Sequence, residues 1–157
     1  MAISIGIATI DDFEAVNEIV KEGHEEHVEA LPNVFKSVAQ VMPTSYYQEL
    51  LEDNCSEILV AKEGLIIVGF AVMSMEKSPS FDSLVEREYA YINDFGIKSG
   101  EQRKGIGKIL FEACVSWAKA REASSLELNV WEFNEKAMLF YDSFGMETIS
   151  RKMQIKF

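Results

Sequence analysis

A short segment rich in glycine and basic residues, Gln102-Arg103-Lys104-Gly105-Ile106-Gly107, is the part of the chain whose composition most directly suggests chemistry. It lies between a predicted strand and a predicted helix. Glycines there let successive backbone N–H groups curl around an anion, and a helix N-terminus favours negative charge. Arg103, Lys104 and Lys108 place positive charge at this point of a chain whose formal net charge is −11. The pattern therefore predicts a phosphate-binding loop.

Two other phosphate-binding motifs do not fit this loop. A P-loop would need Gly at 102 and Ser or Thr at 109, where the chain has Gln102 and Ile109. A dinucleotide fingerprint fails at its third glycine, where Leu110 stands. The remaining pattern, Gln/Arg-x-x-Gly-x-Gly/Ala, would arise by chance in roughly one chain of this length in seven. The neighbouring elements must therefore decide what the loop binds.

The order of predicted elements indicates a mixed α/β fold. Two β-rich runs are separated only by Glu63-Gly64, which is typical of a hairpin, while the strands on either side of the helix after the loop form a β-α-β crossover. The sheet should therefore be partly antiparallel and partly parallel, with flanking helices. The predicted elements are a strand at 3–7, a helix from 13, an acidic second helical stretch ending at Pro32, a helix near 44–51, strands at 57–62, 65–76 and 86–97, a helix at 106–121, a strand at 126–130, a helix from 134 and a strand at 153–157.

Length and composition limit the class of protein. The 157 residues, 48% hydrophobic and 26% charged, predict one globular domain over 1–157. The acidic balance disfavours nucleic-acid and anionic-membrane partners, and the longest apolar stretch, Leu65 to Met73, is too short to span a bilayer. Cys55 and Cys114 form no disulfide framework, and the first residues do not resemble a signal peptide, so we expect a cytoplasmic protein.

Two sequence blocks together resemble the GNAT family of acetyl-CoA-dependent N-acetyltransferases. The first joins Ile92-Asn93-Asp94-Phe95-Gly96-Ile97 to the loop at 102–107. The second block consists of Leu128-Asn129-Val130, Asn134, Ala137, Phe140-Tyr141 and Phe144-Gly145. The element order resembles the family from Ile3 onward. Ser99 and Met146 depart from the residues common in the family, proline and phenylalanine, but neither touches the expected chemistry.

The resemblance implies the GNAT fold, with acetyl-CoA as cosubstrate and no metal. It implies that the Gln102–Lys108 loop, including Ile106 and Gly107, binds the coenzyme pyrophosphate. It also implies that backbone groups of Phe95, Gly96 and Ile97 hold the pantetheine arm and the acetyl carbonyl. Such groups become available where two strands splay apart, and the strand at 126–130 would be the splayed partner. Further cofactor contacts are implied for Asn129, Asn134, Ala137 and Tyr141.

Acetyl transfer needs a proton for the departing thiolate, and the family resemblance assigns this role to Tyr141. The periodicity of its helix is equally typical of a core aromatic beside Phe140 and Phe144. Asp94 is a candidate base or substrate contact. Strand alternation puts Asp94 on the same face as Gly96, so its access to the acceptor depends on a local bulge.

The acceptor pocket is expected among the early helices, where Glu25, Glu26 and His27 are candidate substrate-binding residues. Their charge favours a cationic amine, although a solvated acidic helix face explains the glutamates equally well. His24 and His27 have a spacing that can hold a metal, but no third ligand is evident, and no metal is predicted.

The sequence thus predicts an N-acetyltransferase that transfers the acetyl group of acetyl-CoA directly to a primary amine of a small, cationic molecule. Neither cysteine lies in the matched loop block, which disfavours a thiol intermediate. Acetylation of a protein N-terminus or a lysine side chain, and a non-catalytic acyl-CoA-binding regulator, remain alternatives. The edge strand predicted at 153–157 suggests a possible homodimer.

Overall fold

The structure is a computed structural model that describes residues 2–157. In these residues a short 3₁₀ turn at Ile10–Asp12 leads into the first helix. The elements are β1 (Ile3–Ile7), α1 (Phe13–Ala30), α2 (Thr44–Glu52), β2 (Ser56–Glu63), β3 (Ile66–Lys77), β4 (Glu88–Ile97), α3 (Ile106–Ala120), β5 (Leu126–Leu128) and α4 (Glu135–Asp142).

The five strands form one mixed sheet in the order β1-β2-β3-β4-β5. The first four are antiparallel to their neighbours, and β5 is parallel to β4. The turn between β2 and β3 uses Gly64 at φ 65°, a conformation that glycine adopts without strain. The parallel pair is joined through α3, as parallel strands require a crossover. The predicted mixed sheet with its hairpin is confirmed.

Helices cover both faces of the sheet, and the buried strands alternate between them. On β3, Phe70 and Val72 belong to the core under α1 and α2, whereas Ala71 and Met73 belong to the core under α3. This explains why the middle of β3 is buried on both faces and reads as an almost continuous apolar run.

A β-bulge in β4 changes which side chains face which helix layer. Val72 is opposite Asp94 and Met73 is opposite Ile92, so Asn93 is the extra residue. Ile92 and Phe95 therefore both lie on the α3 face. Asp94 is left on the same face as Gly96, whose missing side chain makes room for Ile19 of α1.

The first helix is longer than the sequence predicted. The acidic stretch before Pro32 is not a separate helix; it is the second half of a continuous α1. The apolar residues stop at Val20 because only the first half of α1 lies on the sheet, while most of the second half projects into solvent. No helix in residues 2–157 is long and apolar enough to cross a membrane.

The strand predicted at 153–157 does not form. Residues 146–157 contain no helix or strand, and Met153 and Ile155 are 89% and 82% exposed. The alternation is real, but a strand also needs a hydrogen-bonded neighbour, and within the described chain this segment pairs with none.

Gly96 tests the packing of α1 on β4. A Cβ atom there would lie 2.8 Å from Phe70 Cε1 and 3.1 Å from Ile19 Cγ2, both in a close-packed core. We expect Gly96→Ala to lower the free energy of unfolding by about 1–3 kcal/mol in denaturant titrations. Gly6→Ala, where a Cβ meets nothing within 4 Å, is the matched control and should change it by less than about 0.5 kcal/mol. Equal effects would contradict this account.

Candidate active site

The loop between β4 and α3 has the backbone geometry of an anion cradle. Arg103 and Gly105 take left-handed conformations, with φ 66° and 82°, at alternate positions. This alternation turns successive N–H groups toward one point. Gly105 is the N-cap of α3 and has no side chain to bond the first N–H groups of the helix. Those donors and the helix dipole therefore remain available to an anion.

Cations surround this loop, and one of them was not predicted. Arg103, Lys104 and Lys108 are exposed, and Lys104 Nζ lies 3.0 Å from Glu101 Oε2. From α4, Lys136 Nζ donates to Gln102 Oε1 at 3.1 Å. Sequence reasoning missed Lys136 because only the fold brings the first turn of α4 to this loop.

The last predicted loop residues have structural roles in the ligand-free site. Ile106 is buried in the α3 core, so only its backbone can face a ligand. A Cβ on Gly107 would lie 3.1 Å from the ring of Phe140, which means that this glycine lets α3 approach α4. Gly105, in contrast, has open space where its side chain would be, and its requirement is conformational.

Beside the loop, β4 and β5 separate. Their pairing runs only from Ala90 opposite Leu126 to Ile92 opposite Leu128 in the described chain. The N–H of Lys98 donates to Val68 of β3 at 2.8 Å, so alternation turns the N–H groups of Phe95 and Ile97 away from β3 and into the gap. The gap therefore presents backbone donors and acceptors to an extended ligand. Gln102 Nε2 lies 3.5 Å from the Ile97 carbonyl oxygen.

Asp94 lies at the mouth of this gap. Its Oδ1 accepts a hydrogen bond from the Phe95 N–H at 2.9 Å. Burial raises the pKa of Asp94 above its ordinary value, against smaller lowering effects of that hydrogen bond and of His27. Tyr46, another residue missed from the sequence, has its pKa raised by burial and then by Asp94. The bulge thus brings Asp94 toward α1 and α2.

Tyr141 reaches the gap from α4. That helix begins at Asn134, whose Oδ1 accepts the Ala137 N–H at 3.2 Å, so Asn134 acts as a capping residue. The Tyr141 ring packs near Phe95 and Phe111, with centroids 6.2 and 6.0 Å away. Burial, and then Cys114 and Asp94, raise the pKa of Tyr141. The phenol therefore stays protonated and can act as a donor.

The candidate acceptor residues separate into different environments. The His27 Nδ1 lies 2.8 Å from the Gly23 carbonyl oxygen, and the His27 ring contacts Phe133 edge-on at 5.2 Å. Glu25 instead accepts a hydrogen bond from Ser37 at 2.7 Å, and Glu26 is exposed. His27 is thus the one of the three that lies close enough to Asp94 to influence it electrostatically.

An aromatic cluster, formed by His27, Phe35, Trp131 and Phe133, joins α1 to the segment between β5 and α4. Phe35 contacts His27 at 5.4 Å and Trp131 at 5.5 Å, both edge-on. His24 Nε2 lies 2.8 Å from the Lys36 carbonyl oxygen, so the two histidines do not converge on a shared ligand. No group of three or more metal-ligating side chains occurs in residues 2–157.

Comparisons with known proteins agree with this geometry. The model of the acetyltransferase (GNAT) family matches residues 17–146. A proposed bS18 ribosomal-protein alanine N-acetyltransferase of Bacillus subtilis is 27% identical over 66% of this chain and 62% of its own length. The L-ornithine N5-acetyltransferase NATA1 of Arabidopsis thaliana is 26% identical over 64% of this chain and 39% of its own length. The chain thus spans less than two thirds of either relative.

A crystal structure resembles the whole fold more closely. A mutant of the BH1408 protein from Bacillus halodurans superimposes with a TM-score of 0.95 at 30% identity, covering 98% of this chain and 99% of that one. An anion cradle next to a splayed parallel strand pair defines an acyl-CoA-dependent transferase fold. The chain belongs to the GNAT acetyltransferase family, which uses acetyl-CoA as its cosubstrate.

The raised pKa of Asp94 makes a prediction about stability. A carboxyl whose pKa is higher in the folded than in the unfolded state stabilises the fold below its unfolded pKa, and this stabilisation is lost as pH rises through the folded value. Asp94→Asn keeps an oxygen for the Phe95 N–H but cannot ionise. We expect the variant to gain stability over wild type at neutral pH and to lose that advantage near pH 4, in denaturant titrations across pH. A pH-independent difference would contradict the assignment.

Proposed function

We propose that the chain, as one domain over 1–157, is an N-acetyltransferase that moves the acetyl group of acetyl-CoA directly to a primary amine of a small, cationic molecule. The observation that supports this most strongly is the continuous path from the anion cradle at Arg103 and Gly105, along the open edge of β4, to Tyr141 and Asp94. A diphosphate at one end and a thioester at the other fit such a path.

The cofactor would be held mainly by backbone groups. The nest and the first turn of α3 take the pyrophosphate, with Arg103, Lys108 and Lys136 supplying charge around it. The pantetheine arm lies in the gap as an added strand and bonds Phe95 to Ile97 on one side. Asn129, at the end of β5, and Asn134 with Ala137, at the start of α4, face it from the other side.

Catalysis begins when the neutral amine attacks the thioester carbonyl carbon. A C–N bond forms, the carbonyl oxygen becomes an oxyanion, and collapse of the intermediate breaks the C–S bond. The Phe95 N–H is the nearest backbone donor for the oxyanion, but Asp94 occupies it in the ligand-free site. The acetyl oxygen takes over that N–H, which frees the Asp94 carboxylate to accept the proton of the amine directly or through water.

The thiolate that leaves must be protonated. Tyr141 supplies this proton, because burial keeps its phenol neutral and aims it at the gap. Cys114, close to Tyr141, does not compete as a nucleophile, since burial raises the pKa of its thiol to about 12. This favours direct transfer over a covalent acetyl-cysteine.

A cationic acceptor is favoured by the charge around the mouth of the gap. Asp94 lies at its centre, and the open groove along α1 is lined by Glu18, Glu22 and Glu25 together with two lysines. The relatives named above act on an ornithine amine and an alanine, so a protein N-terminus is the second candidate acceptor. We place the reaction in the cytoplasm, where free thiols such as Cys55 and Cys114 persist.

Tyr141→Phe tests the proposed proton donor. The variant keeps the ring in its aromatic packing but removes the proton, so we expect kcat with acetyl-CoA and a panel of amines to fall about 10²- to 10⁴-fold. Affinity for coenzyme A, measured by calorimetry, should stay within about threefold of wild type because uniform binding is untouched. Tyr89→Phe, also on a half-buried ring but in the opposite half of β4, is the matched control and should leave kcat unchanged. Unchanged turnover in Tyr141→Phe would remove Tyr141 from the mechanism. A regulator would bind coenzyme A but acetylate no amine.

The charge around the anion cradle gives a separate prediction for binding. Arg103→Gly preserves the left-handed backbone, and combined with Lys108→Gln it removes two positive charges. We expect the dissociation constant for coenzyme A to rise at least about tenfold, or about 1.4 kcal/mol, with a weaker dependence on salt. Lys119→Gln, at the other end of α3, is the charge-matched control. Equal affinities in all three proteins would exclude this loop as the pyrophosphate site.

A further inference from the structure

The last eleven residues of the chain, 147–157, are here named the tail. They follow a turn at Gly145, where φ is 85°, and run on without helix or strand. Ile149, Met153 and Ile155 are 75%, 89% and 82% exposed to solvent. These apolar side chains alternate with Ser150, Lys152, Gln154 and Lys156.

This alternation is the pattern of a strand with one buried face. A half-buried strand places every second side chain on a core and satisfies its backbone groups with a neighbouring strand. The tail has the sequence for both but obtains neither from its own chain in the described residues. Large apolar side chains exposed in a row mark a surface that another molecule covers.

The matching open position is the free edge of β5. That strand is only three residues long and is the last in the sheet, so its outer backbone groups have no neighbouring strand in the described chain. The core beneath it is also incomplete, because Leu126, Leu128, Phe144 and Met146 pack on the α3 core but are only partly buried. A strand added to β5 would pair its backbone and extend this core with its apolar face.

A second copy of this chain is the partner that satisfies both surfaces. Each copy carries one unpaired tail and one unpaired edge, so a two-fold axis lets each tail complete the sheet of the other chain. The tail also carries three basic residues against one acidic residue, in a chain of net charge −11, so another copy attracts it. The superposition on the BH1408 protein takes in 98% of the chain, which includes most of the tail, so the extended path is a shared property.

We propose that the protein is a homodimer in which the tails are exchanged, residues 149–157 of each chain forming a strand against β5 of the other. Nine residues of strand are about 30 Å long. Two such strands, with their apolar faces on the α3 cores, make contacts on the scale of the roughly 1,200–2,000 Å² buried in stable interfaces. The proposal does not depend on the proposed acetyl transfer.

The first experiment measures the mass of the full chain in solution by light scattering over a range of concentrations. We expect twice the chain mass of 17.7 kDa for wild type. Met153→Lys combined with Ile155→Lys charges the apolar face and should give monomers. Ser150→Lys combined with Gln154→Lys adds the same charge to the other face and should stay dimeric. Because all four side chains are exposed, thermal melts should show all three proteins folded. A monomeric wild type, or a dimer that survives the first pair, overturns the proposal.

The second experiment separates exchange from a tail that folds back on its own sheet. In a Cys55→Ser background, one chain carries Ser125→Cys beside β5 and another carries Gln154→Cys in the tail. Mixing them, with time to exchange, and adding a short bismaleimide should yield a covalent heterodimer. A cross-link that forms only within a chain carrying both cysteines would mean that each tail pairs with its own β5, which overturns the exchange.

Discussion

The candidate site depends on the point at which β4 stops pairing with β5. Up to Ile92 the two strands are bonded, and beyond it the backbone of β4 faces open space. The bulge at Asn93 falls at the same point and reverses the order in which side chains face the two helix layers. One irregularity therefore does two things: it frees backbone donors for a ligand and turns Asp94 toward the α1 layer, while Phe95 stays under α3.

Such an opening is costly unless its polar groups find partners, because an unbonded buried N–H loses the hydrogen bond that water would have given it. The structure limits this cost. Asp94 bonds the Phe95 N–H, and the Gln102 side chain is within reach of the Ile97 carbonyl. These are short-range, side-chain partners that a ligand with its own amides can displace. The left-handed Arg103 is a second local cost, since a non-glycine residue there is strained by about 1–2 kcal/mol.

Much of this architecture could be predicted from the sequence because its signals are local. The hairpin turn at Glu63-Gly64 and the alternating strands are read from neighbours in the chain, and so is the Asn134 cap, which the structure confirms. Contacts between distant segments could not be predicted in this way, among them Lys136 with Gln102 and the effect of Asp94 on Tyr46. The continuous α1 was missed because its apolar periodicity ends where the sheet beneath it ends. The strand expected at 153–157 was wrong for a different reason: alternation shows what a segment can pair with, not whether its own chain supplies the partner.

The distribution of charge explains how so acidic a chain can serve an anionic cofactor. Screening at physiological salt limits a charge to about 8 Å, so the cations around the loop dominate where the pyrophosphate would lie, and the net charge of −11 does not. At the other end of the gap, Asp94 and the glutamates of α1 dominate instead. Under the proposed function this polarity also assists release. Acetylation turns a cationic amine into a neutral amide, so the product loses the attraction that brought its precursor to Asp94, while the acidic groups remain ready for the next amine.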